Sequence, residues 1–307
     1  MRSVFRDRLH WLCFGHLALF WVAALAGCAS PFSPPTLVEK LRILGIQADP
    51  PALPWQALAS DQTVSLRALV ADPLGEGRTL GYSWALCFLS LDRLAGGISC
   101  PGPGDFPLPD GGPTAQIHLG EVQAWMNDNG ASLDLSSLVP DSSFPVFVGL
   151  EVEGDGEIVR ALKRIEVGTT AGEEANANPR LLGIEINGQA MTEATGVLPE
   201  AKKVELSPVV DQASRQVYLR EGETEARDED FLFSWFATAG EFADRRTILE
   251  ADPKGVRLDQ NQWTLPENGV EGPVTLWVVL RDGRLGEDWL QRTFESGEGL
   301  DTGAGVW

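Results

Sequence analysis

The residue types that most often perform chemistry in enzymes are scarce in this chain. Its 307 residues include four cysteines and three histidines. After residue 28, only Cys87, Cys100 and His118 remain. Zinc sites need several nitrogen or sulfur ligands, and nucleophilic triads need a histidine beside the nucleophile. The sequence therefore predicts neither kind of site, and we expect no catalysis from this chain.

Hydroxyl and carboxyl groups offer weaker candidates. Ser83 lies in Gly-Tyr-Ser-Trp-Ala, which is faintly similar to a nucleophile elbow but falls in the middle of an alternating strand pattern. Acidic residues at 228–230 and 287–288 lie beside turns, where solvated carboxylates are common, so a carboxylate-type glycoside hydrolase is the less favoured alternative. Calcium is the metal ion that the loop acids would suit, because this ion prefers oxygen ligands on loops; exposed turn acids without a metal are the favoured interpretation of the four candidates, Asp72, Glu76, Asp155 and Asp282.

The first 28 residues follow the order of an export signal. Arg2, Arg6 and Arg8 precede residues 11–26, which are apolar except for His16. A basic start, a short apolar run and small residues at its end are typical of a secretory signal peptide. A membrane-spanning helix needs about 20 apolar residues, and a buried cytosolic helix does not explain the basic flank. A signal peptide over residues 1–27 is therefore the favoured interpretation.

The end of this run, Leu25-Ala26-Gly27-Cys28, resembles the lipobox of bacterial lipoproteins. In that family the cysteine thiol receives a diacylglyceryl group, and the signal peptide is cut just before it. The resemblance implies that Cys28 is the lipidated first residue of the mature protein, anchored in a membrane by palmitate-type chains. Two or more acyl chains hold a protein firmly, whereas one binds only marginally.

The residues after Cys28 bear on where the protein is placed. Ala29 resembles the residue at this position in outer-membrane-directed lipoproteins, which implies the outer membrane of a bacterial cell envelope. Residues 28–37 are rich in proline, and we expect them to form an extended tether.

Cys87 and Cys100 remain as an even pair in an oxidising compartment. We predict a disulfide bond between them, with two free buried thiols as the alternative. Such a bond closes a short loop and contributes roughly 3 kcal/mol in the chain-entropy model.

The charge of the chain limits its partners. Removal of residues 1–27 takes away three arginines and one aspartate, which changes the formal net charge from −20 to −22. A surface of this charge repels nucleic acid and anionic lipid headgroups. The sequence therefore predicts attachment through the lipid rather than through a basic patch, and a solvated acidic surface.

Two segments of the chain repeat one another in the same order. The matching pairs are RILGIQ (42–47) with RLLGIE (180–185), VSLRALV (64–70) with VELSPVV (204–210), YSW (82–84) with FSW (233–235), and VFVGLEVEGDG (146–156) with VTLWVVLRDG (274–283). This order predicts a duplicated domain over 38–168 and 178–296, with a flexible linker at 169–177 and a flexible tail at 297–307.

Each repeat has the pattern of strands. Val64, Leu66, Ala68 and Val70 alternate with other residues at a period of two, as expected for a half-buried strand. Asp-Gly pairs at 155–156 and 282–283 predict hairpin turns. A short helix is predicted only over 119–128. The fold class predicted is all-β, with two tandem β-sandwiches.

Trp84 and Trp235 occupy equivalent places in the two repeats. They resemble the core tryptophan of immunoglobulin-like (Ig-like) domains, and "VADPLGEGRTLGYSW" with "VVLRDG" resembles the polycystic-kidney-disease (PKD) type of these domains. Lipoproteins of the myxobacterial type share these features. The resemblance implies two Ig-like domains that bind or scaffold a protein partner in the envelope.

Trp277 is the residue that leaves two interpretations open. It lies on the strand face opposite Leu276 and Val278, so it is either an exposed contact for a partner protein or a sugar, or a packing residue against the first domain. An anchored carbohydrate-binding module is accordingly the alternative to a protein-binding role.

Overall fold

Alternating apolar residues form the strands of a first sandwich, which spans residues 41–167. One sheet has the spatial order β1, β3, β6, with strands Arg42–Asp49, Thr63–Ala71 and Thr114–His118. The other has the order β2, β8, β7, β4, β5, with strands Ala52–Leu53, Glu157–Val167, Phe144–Gly154, Gly81–Cys87 and Phe106–Pro107. All pairings are antiparallel except β2 with β8. A helix, α1, follows β6 over Leu119–Asp128, as predicted.

A second sandwich spans residues 181–295. One sheet has the order β10, β9, β12, β18, β16, with strands Gln189–Met191, Leu181–Ile186, Lys203–Val210, Asn261–Thr264 and Glu241–Phe242. The other has the order β11, β20, β19, β15, β17, with strands Thr195–Val197, Glu287–Glu295, Val274–Arg281, Phe231–Ala237 and Arg246–Leu249. A 3₁₀ turn over Gln212–Ser214 precedes a two-stranded ribbon of β13 (Val217–Leu219) and β14 (Ala226–Asp228).

The two sandwiches have the same topology. The order β1, β3, β6 corresponds to β9, β12, β18, and β2, β8, β7, β4 corresponds to β11, β20, β19, β15. In each, a short strand pairs in parallel with the last strand, while the other neighbours are antiparallel. The four repeated sequence segments fall on corresponding strands. This is the arrangement of tandem Ig-like sandwiches, and the predicted all-β fold class is confirmed.

The computed structural model describes residues 33–54, 62–75, 78–87, 100–101, 105–109, 111–129, 144–168, 176–219, 224–251 and 258–295. The chain divides into residues 1–34 and a compact unit of residues 35–307, which holds both sandwiches. No helix in the described part of the chain has the length and apolar character that membrane crossing requires.

Each sandwich has its own core around the equivalent tryptophan. Trp84 is 2% exposed, and its indole nitrogen donates to the carbonyl of Gly112 at 3.0 Å. Trp235 is fully buried, and its indole nitrogen donates to Thr247 Oγ1 at 2.9 Å. The polar edge of each ring is therefore bonded while its apolar body fills the space between the sheets.

The predicted hairpins are present but differ in their turns. Asp155 and Gly156 have φ angles of 49° and 81° and join β7 directly to β8, as an Asp-Gly turn requires. In the second sandwich the turn at Asp282-Gly283 extends to residue 286. Leu285 in this longer turn has a φ of 82°, which is costly for a branched side chain.

The predicted disulfide bond joins Cys87 and Cys100, whose Cα atoms are 6.0 Å apart. Cys87 and Ala85 lie on the face of β4 opposite the core tryptophan, beside Phe147. A Cβ atom at Gly149 would lie 2.8 Å from the backbone carbon of Cys100 and would also overlap its sulfur. The absence of a side chain at Gly149 therefore lets the Cys100 segment rest on the sheet.

The start of the described chain is fixed to the second sandwich. Thr36 is 5% exposed, and its carbonyl accepts from the Ala237 amide at 3.0 Å. Val38 donates to the Ala237 carbonyl at 2.9 Å, and Leu37 forms a parallel bridge with Ala237. Thr36 and Leu37, the last two residues of the predicted tether, therefore lie against the edge of β15.

Candidate functional site

An apolar contact joins the two sandwiches. We call it the inter-sandwich cluster; its buried members are Val38, Leu44, Leu69, Ala71, Trp277 and Val279, with Phe236 and Trp289 packed against them. Residues from β1 and β3 of the first sandwich, together with Val38 before β1, thus pack on the outer face of β15 and β19 in the second sandwich. Buried apolar area contributes about 25 cal/mol per Å², so this contact opposes separation of the sandwiches.

Trp277 lies inside this cluster. Its side chain is 4% exposed, and its indole nitrogen donates to Gln291 Oε1 at 3.1 Å. The expectation that Trp277 contacts a partner or a sugar is corrected, because its ring is covered by the first sandwich. Trp277 instead packs against the first sandwich, as the alternative interpretation predicted.

A buried ion network lies beside the cluster. Glu287, 4% exposed, accepts from Arg281 at 2.7 Å and lies 3.4 Å from Lys163 Nζ, which comes from β8 of the first sandwich. Lys163 also donates to the carbonyl of Leu285 at 2.7 Å. The left-handed backbone at Leu285 belongs to the turn that presents this carbonyl. Strained residues of this kind persist where their surroundings hold them in place.

The chain packs closely around Glu287. A Cβ atom at Gly45 would lie 2.5 Å from Glu287 Oε1, whereas a Cβ at the equivalent Gly183 meets only a carbonyl at 3.8 Å. Asn178 accepts from the Glu287 amide at 3.0 Å and donates to the Ala48 carbonyl at 2.8 Å. Asn178 therefore forms hydrogen bonds with both sandwiches. Residues 169–175 of the predicted linker lie outside the described residues.

Burial determines the electrostatics of Lys163. Desolvation lowers the pKa of its ammonium group below the ordinary value, and the charge of Glu287 opposes this shift. Lys163 and Glu287 are both buried and lie 3.4 Å apart, so the pair is sensitive to the loss of either member.

A second buried network joins the linker end, the ribbon and the β19–β20 turn. Glu229 is 1% exposed and accepts from Arg284 at 2.9 Å and from the Gln216 amide at 3.0 Å. Asp282 accepts from Asn176 at 3.0 Å and from the amides of Arg284 and Gly286. Burial raises the pKa of Glu229, and the neighbouring Asp282 charge raises it further.

The two networks correct the expectation that the acids at 228–230 and 287–288 are all solvated turn residues. Glu229 and Glu287 are buried and bound to arginine or lysine. Sequence reasoning also missed Lys163, although a signal existed. Lys163 lies on the same buried face of β8 as Ile165 and Val167, a position where an apolar residue is expected. Nothing in the sequence marked Asn178, because its partners are distant in the chain.

A groove of about 500 Å³ opens between the sandwiches beside the ion network. Its lining includes Ile46, Leu162, Lys163, Arg281 and Leu285. A second groove, of about 530 Å³, lies on the first sheet of the first sandwich. Both combine apolar and charged walls.

The other candidate residues are not brought together. Ser83 is exposed on β4, while His118 ends β6 in the opposite sheet and bonds Thr63 at 3.1 Å. Asp72 accepts from Arg78 at 2.7 Å, Asp155 lies in a turn, and Glu76 lies outside the described residues.

No group of calcium ligands forms from the loop acids in the described part of the chain. The one cluster there with metal-ligand residue types comprises Cys87, Cys100 and Asp105, and its sulfurs are joined in the disulfide.

Sugar-binding modules need a row of exposed aromatic rings. Among the tryptophans that the structure describes, four are buried and two are half-buried; these are Trp84, Trp235, Trp263 and Trp277, then Trp125 and Trp289. No such row is present among these six. Trp55, Trp307 and the predicted lipidation site Cys28 lie outside the described residues.

Comparisons with known proteins bear on the fold. No protein-family model and no curated protein matches the sequence. The chain is similar to the adhesin InvE of Yersinia pseudotuberculosis, with 12% identity, 81% of this chain and 58% of that chain covered, and a TM-score of 0.22. It is also similar to the N-terminal eight Ig domains of the Down syndrome cell adhesion molecule, with 10% identity, 84% of this chain and 25% of that chain covered, and a TM-score of 0.21.

Extracellular domains 3–5 of Drosophila OTK give 9% identity, with 87% of this chain and 67% of that chain covered, and a TM-score of 0.18. The chain thus spans little more than half of the InvE structure and a quarter of the cell adhesion molecule structure. Likeness at this level concerns the Ig-type fold alone. The assignment here rests on the shared strand order and the two core tryptophans.

Proposed function

We propose that this protein is a lipid-anchored component of the bacterial cell envelope whose two joined sandwiches bind or scaffold a protein partner without catalysis of their own. The anchor is Cys28, and the residue after it, Ala29, favours the outer membrane. The resemblance of residues 25–28 to a lipobox supports this attachment. We expect this partner to be another protein of the cell envelope.

The observation that carries the scaffold role is the buried contact between the sandwiches. Trp277, Lys163 and Glu287 fix one Ig-like sandwich on the other. A fixed pair presents loops and sheet faces from both sandwiches to a partner at constant spacing, which lowers the conformational entropy lost on binding. An enzyme needs converging reactive groups instead, and here Glu229 and Glu287 serve as structural ion-pair partners.

Two measurements test this proposal. The first is the mass of the amino-terminal peptide from the membrane-bound protein, which we expect to begin at an acylated Cys28. Cys28→Ala is expected to leave uncleaved precursor and to abolish metabolic labelling with palmitate. Full labelling of that variant would contradict the anchor.

The second measurement is crosslinking in intact cells, followed by binding of the purified processed protein to each purified candidate. We expect a saturable complex with one envelope protein. The same preparation is incubated with peptidoglycan, polysaccharides and esters. Turnover that disappears when one Asp or Glu is replaced by its amide would overturn the non-catalytic role.

A further inference from the structure

Two segments bond the same edge of strand β15: residues 36–38, and the segment that contains Arg245 and Arg246. Along this edge Ser234 pairs with Arg246, the Trp235 amide donates to the Arg245 carbonyl at 3.3 Å, and Ala237 then bonds residues 36 and 38. The bridge between Leu37 and Ala237 is parallel. The chain therefore reaches its place on β15 from the side where β17 and its arginines lie.

The length of chain before this edge limits its distance from the predicted anchor. Six residues lie between Cys28 and Pro35, so seven residue-to-residue steps join them. A fully extended chain spans at most about 3.6 Å per residue, so the lipidated sulfur is within about 25 Å of Pro35. No other part of the sandwiches is tied so closely to the lipid by the covalent chain.

The charges at this edge are opposite to those of the protein as a whole. Arg245 and Arg246 are exposed, and within the described part of the chain neither has an ion-pair partner. Arg42 lies over the ring of Phe236, 5.2 Å from its centroid, and donates to the Pro35 carbonyl at 2.6 Å. Within five positions of these arginines in the sequence, the other exposed charged residues are one base and three acids: Lys40, Glu39, Glu241 and Asp244. The local balance is positive in a chain whose net charge is −20.

We propose that this arginine edge, defined as Arg42, Arg245 and Arg246, docks on the phosphate groups of the membrane leaflet that holds the acyl chains of Cys28. The proposal rests on the proposed lipid anchor and adds the orientation of the body. Electrostatic attraction acts over about 8 Å at physiological ionic strength, and the tether permits that approach. The acidic remainder is repelled by the same surface, which favours this edge over other orientations.

The first test measures which arginines the membrane covers. The intact lipidated protein is reconstituted in vesicles of phosphatidylcholine, with or without phosphatidylglycerol, and treated with phenylglyoxal before peptide mass spectrometry. We expect Arg245 and Arg246 to react several-fold more slowly on the anionic vesicles, and high salt to remove the difference. Arg180, whose side chain is 68% exposed in an ion pair with Asp211, is the internal control and should react equally on both.

A second test uses charge reversal. The double variant Arg245→Glu/Arg246→Glu is compared with Lys202→Glu/Lys203→Glu, an equal change of charge at exposed positions at the start of β12 in the opposite sheet. Energy transfer from tryptophan to a dansyl lipid reports the distance of the body from the bilayer. One basic residue near an anionic surface changes the ratio of docked to undocked protein about fivefold, so the loss of two arginines lowers this ratio about 30-fold, and the two added carboxylates lower it further.

The possible results distinguish failure of the docking by the arginine edge from failure of the lipid anchor at Cys28. Lipidated protein that floats with the vesicles but shows equal reactivity at Arg245 and Arg246 on both lipids overturns the docking alone. An equal loss of energy transfer in the lysine variant does the same. Protein that lacks the acyl mass on Cys28 and does not float overturns the anchor, and the docking with it.

Discussion

At the scale of single residues, the buried acids determine how the protein responds to substitution and to pH. Glu287 balances Lys163 and Arg281 at the junction of the sandwiches, and Glu229 balances Arg284 beside Asp282. Both acids are almost fully covered, so each of these charges depends on its partner rather than on water.

We expect Glu287→Gln to lower the free energy of unfolding by about 3 kcal/mol at neutral pH, because it leaves a buried ammonium group without its counter-charge. The pKa of Lys163 is already lowered by burial, and the loss of Glu287 lowers it further. Between that pKa and the ordinary value of 10.5 the unfolded state binds more protons, so stability rises with pH. The cost of the substitution should therefore shrink as the pH rises toward 10.5, as measured by urea unfolding.

The matched control is Glu151→Gln, which removes the partner of Arg160 from an ion pair whose side chains are 24% and 56% exposed. Exposed pairs contribute about 0.2–1 kcal/mol, so this variant should be nearly as stable as the parent. Equal losses in both variants would contradict the special position of Glu287.

For Glu229 we expect stability to fall as the pH rises, the opposite of the dependence expected for Lys163. Burial, and then the charge of Asp282, raises its folded-state pKa above 4.5, so the folded protein holds a proton that the unfolded chain has already released. Stability contributed by the protonated group is complete below 4.5 and is lost as the pH rises through the raised pKa. Glu229→Gln should flatten this part of the stability profile in urea unfolding between acid and neutral pH. An unchanged profile would show that another group titrates there.

At the scale of elements, one glycine of strand β7 admits the disulfide-linked segment. A methyl group at Gly149 would overlap the Cys100 backbone and sulfur, so Gly149→Ala should cost about 1–3 kcal/mol and increase the fraction of alkylatable thiol. Thermal unfolding and non-reducing mass measurement report the two effects. Gly183→Ala in strand β9 is the control, because its added Cβ meets only ordinary contact at 3.8 Å. Similar losses in both variants would assign the effect to strand glycine in general.

At the scale of the whole molecule, Trp277 couples the two sandwiches. Trp277→Ala empties the centre of the inter-sandwich cluster and should lower stability by about 3–5 kcal/mol. Because each sandwich retains its own core, calorimetry should resolve two transitions where the parent shows one. Leu182→Ala, at a position 56% exposed, should change stability by less than about 0.5 kcal/mol. A single transition in the Trp277 variant would show that other contacts suffice to join the sandwiches.

The sequence by itself determined the local architecture of this protein. Period-two alternation placed the strand over 64–70, the Asp155-Gly156 pair placed a turn, and residues 119–128 formed the expected helix. The repeat foretold two sandwiches of the same topology, because equivalent sequences build equivalent strands. The Cys87–Cys100 bond was predicted from an even pair of cysteines that follow a predicted export signal. All these features depend on short-range patterns or on counting.

Only the tertiary structure revealed how the two sandwiches contact each other. Lys163 and Glu287 are 124 residues apart, and Trp277 packs against residues near position 40. No period or spacing relates such positions, since their contact depends on how two finished surfaces fit. The same reason applies to charge: the sequence fixes the sum at −20, but folding gathers Arg42, Arg245 and Arg246 along one edge. Electrostatic and packing energies depend on distance in space, which the order of residues does not contain.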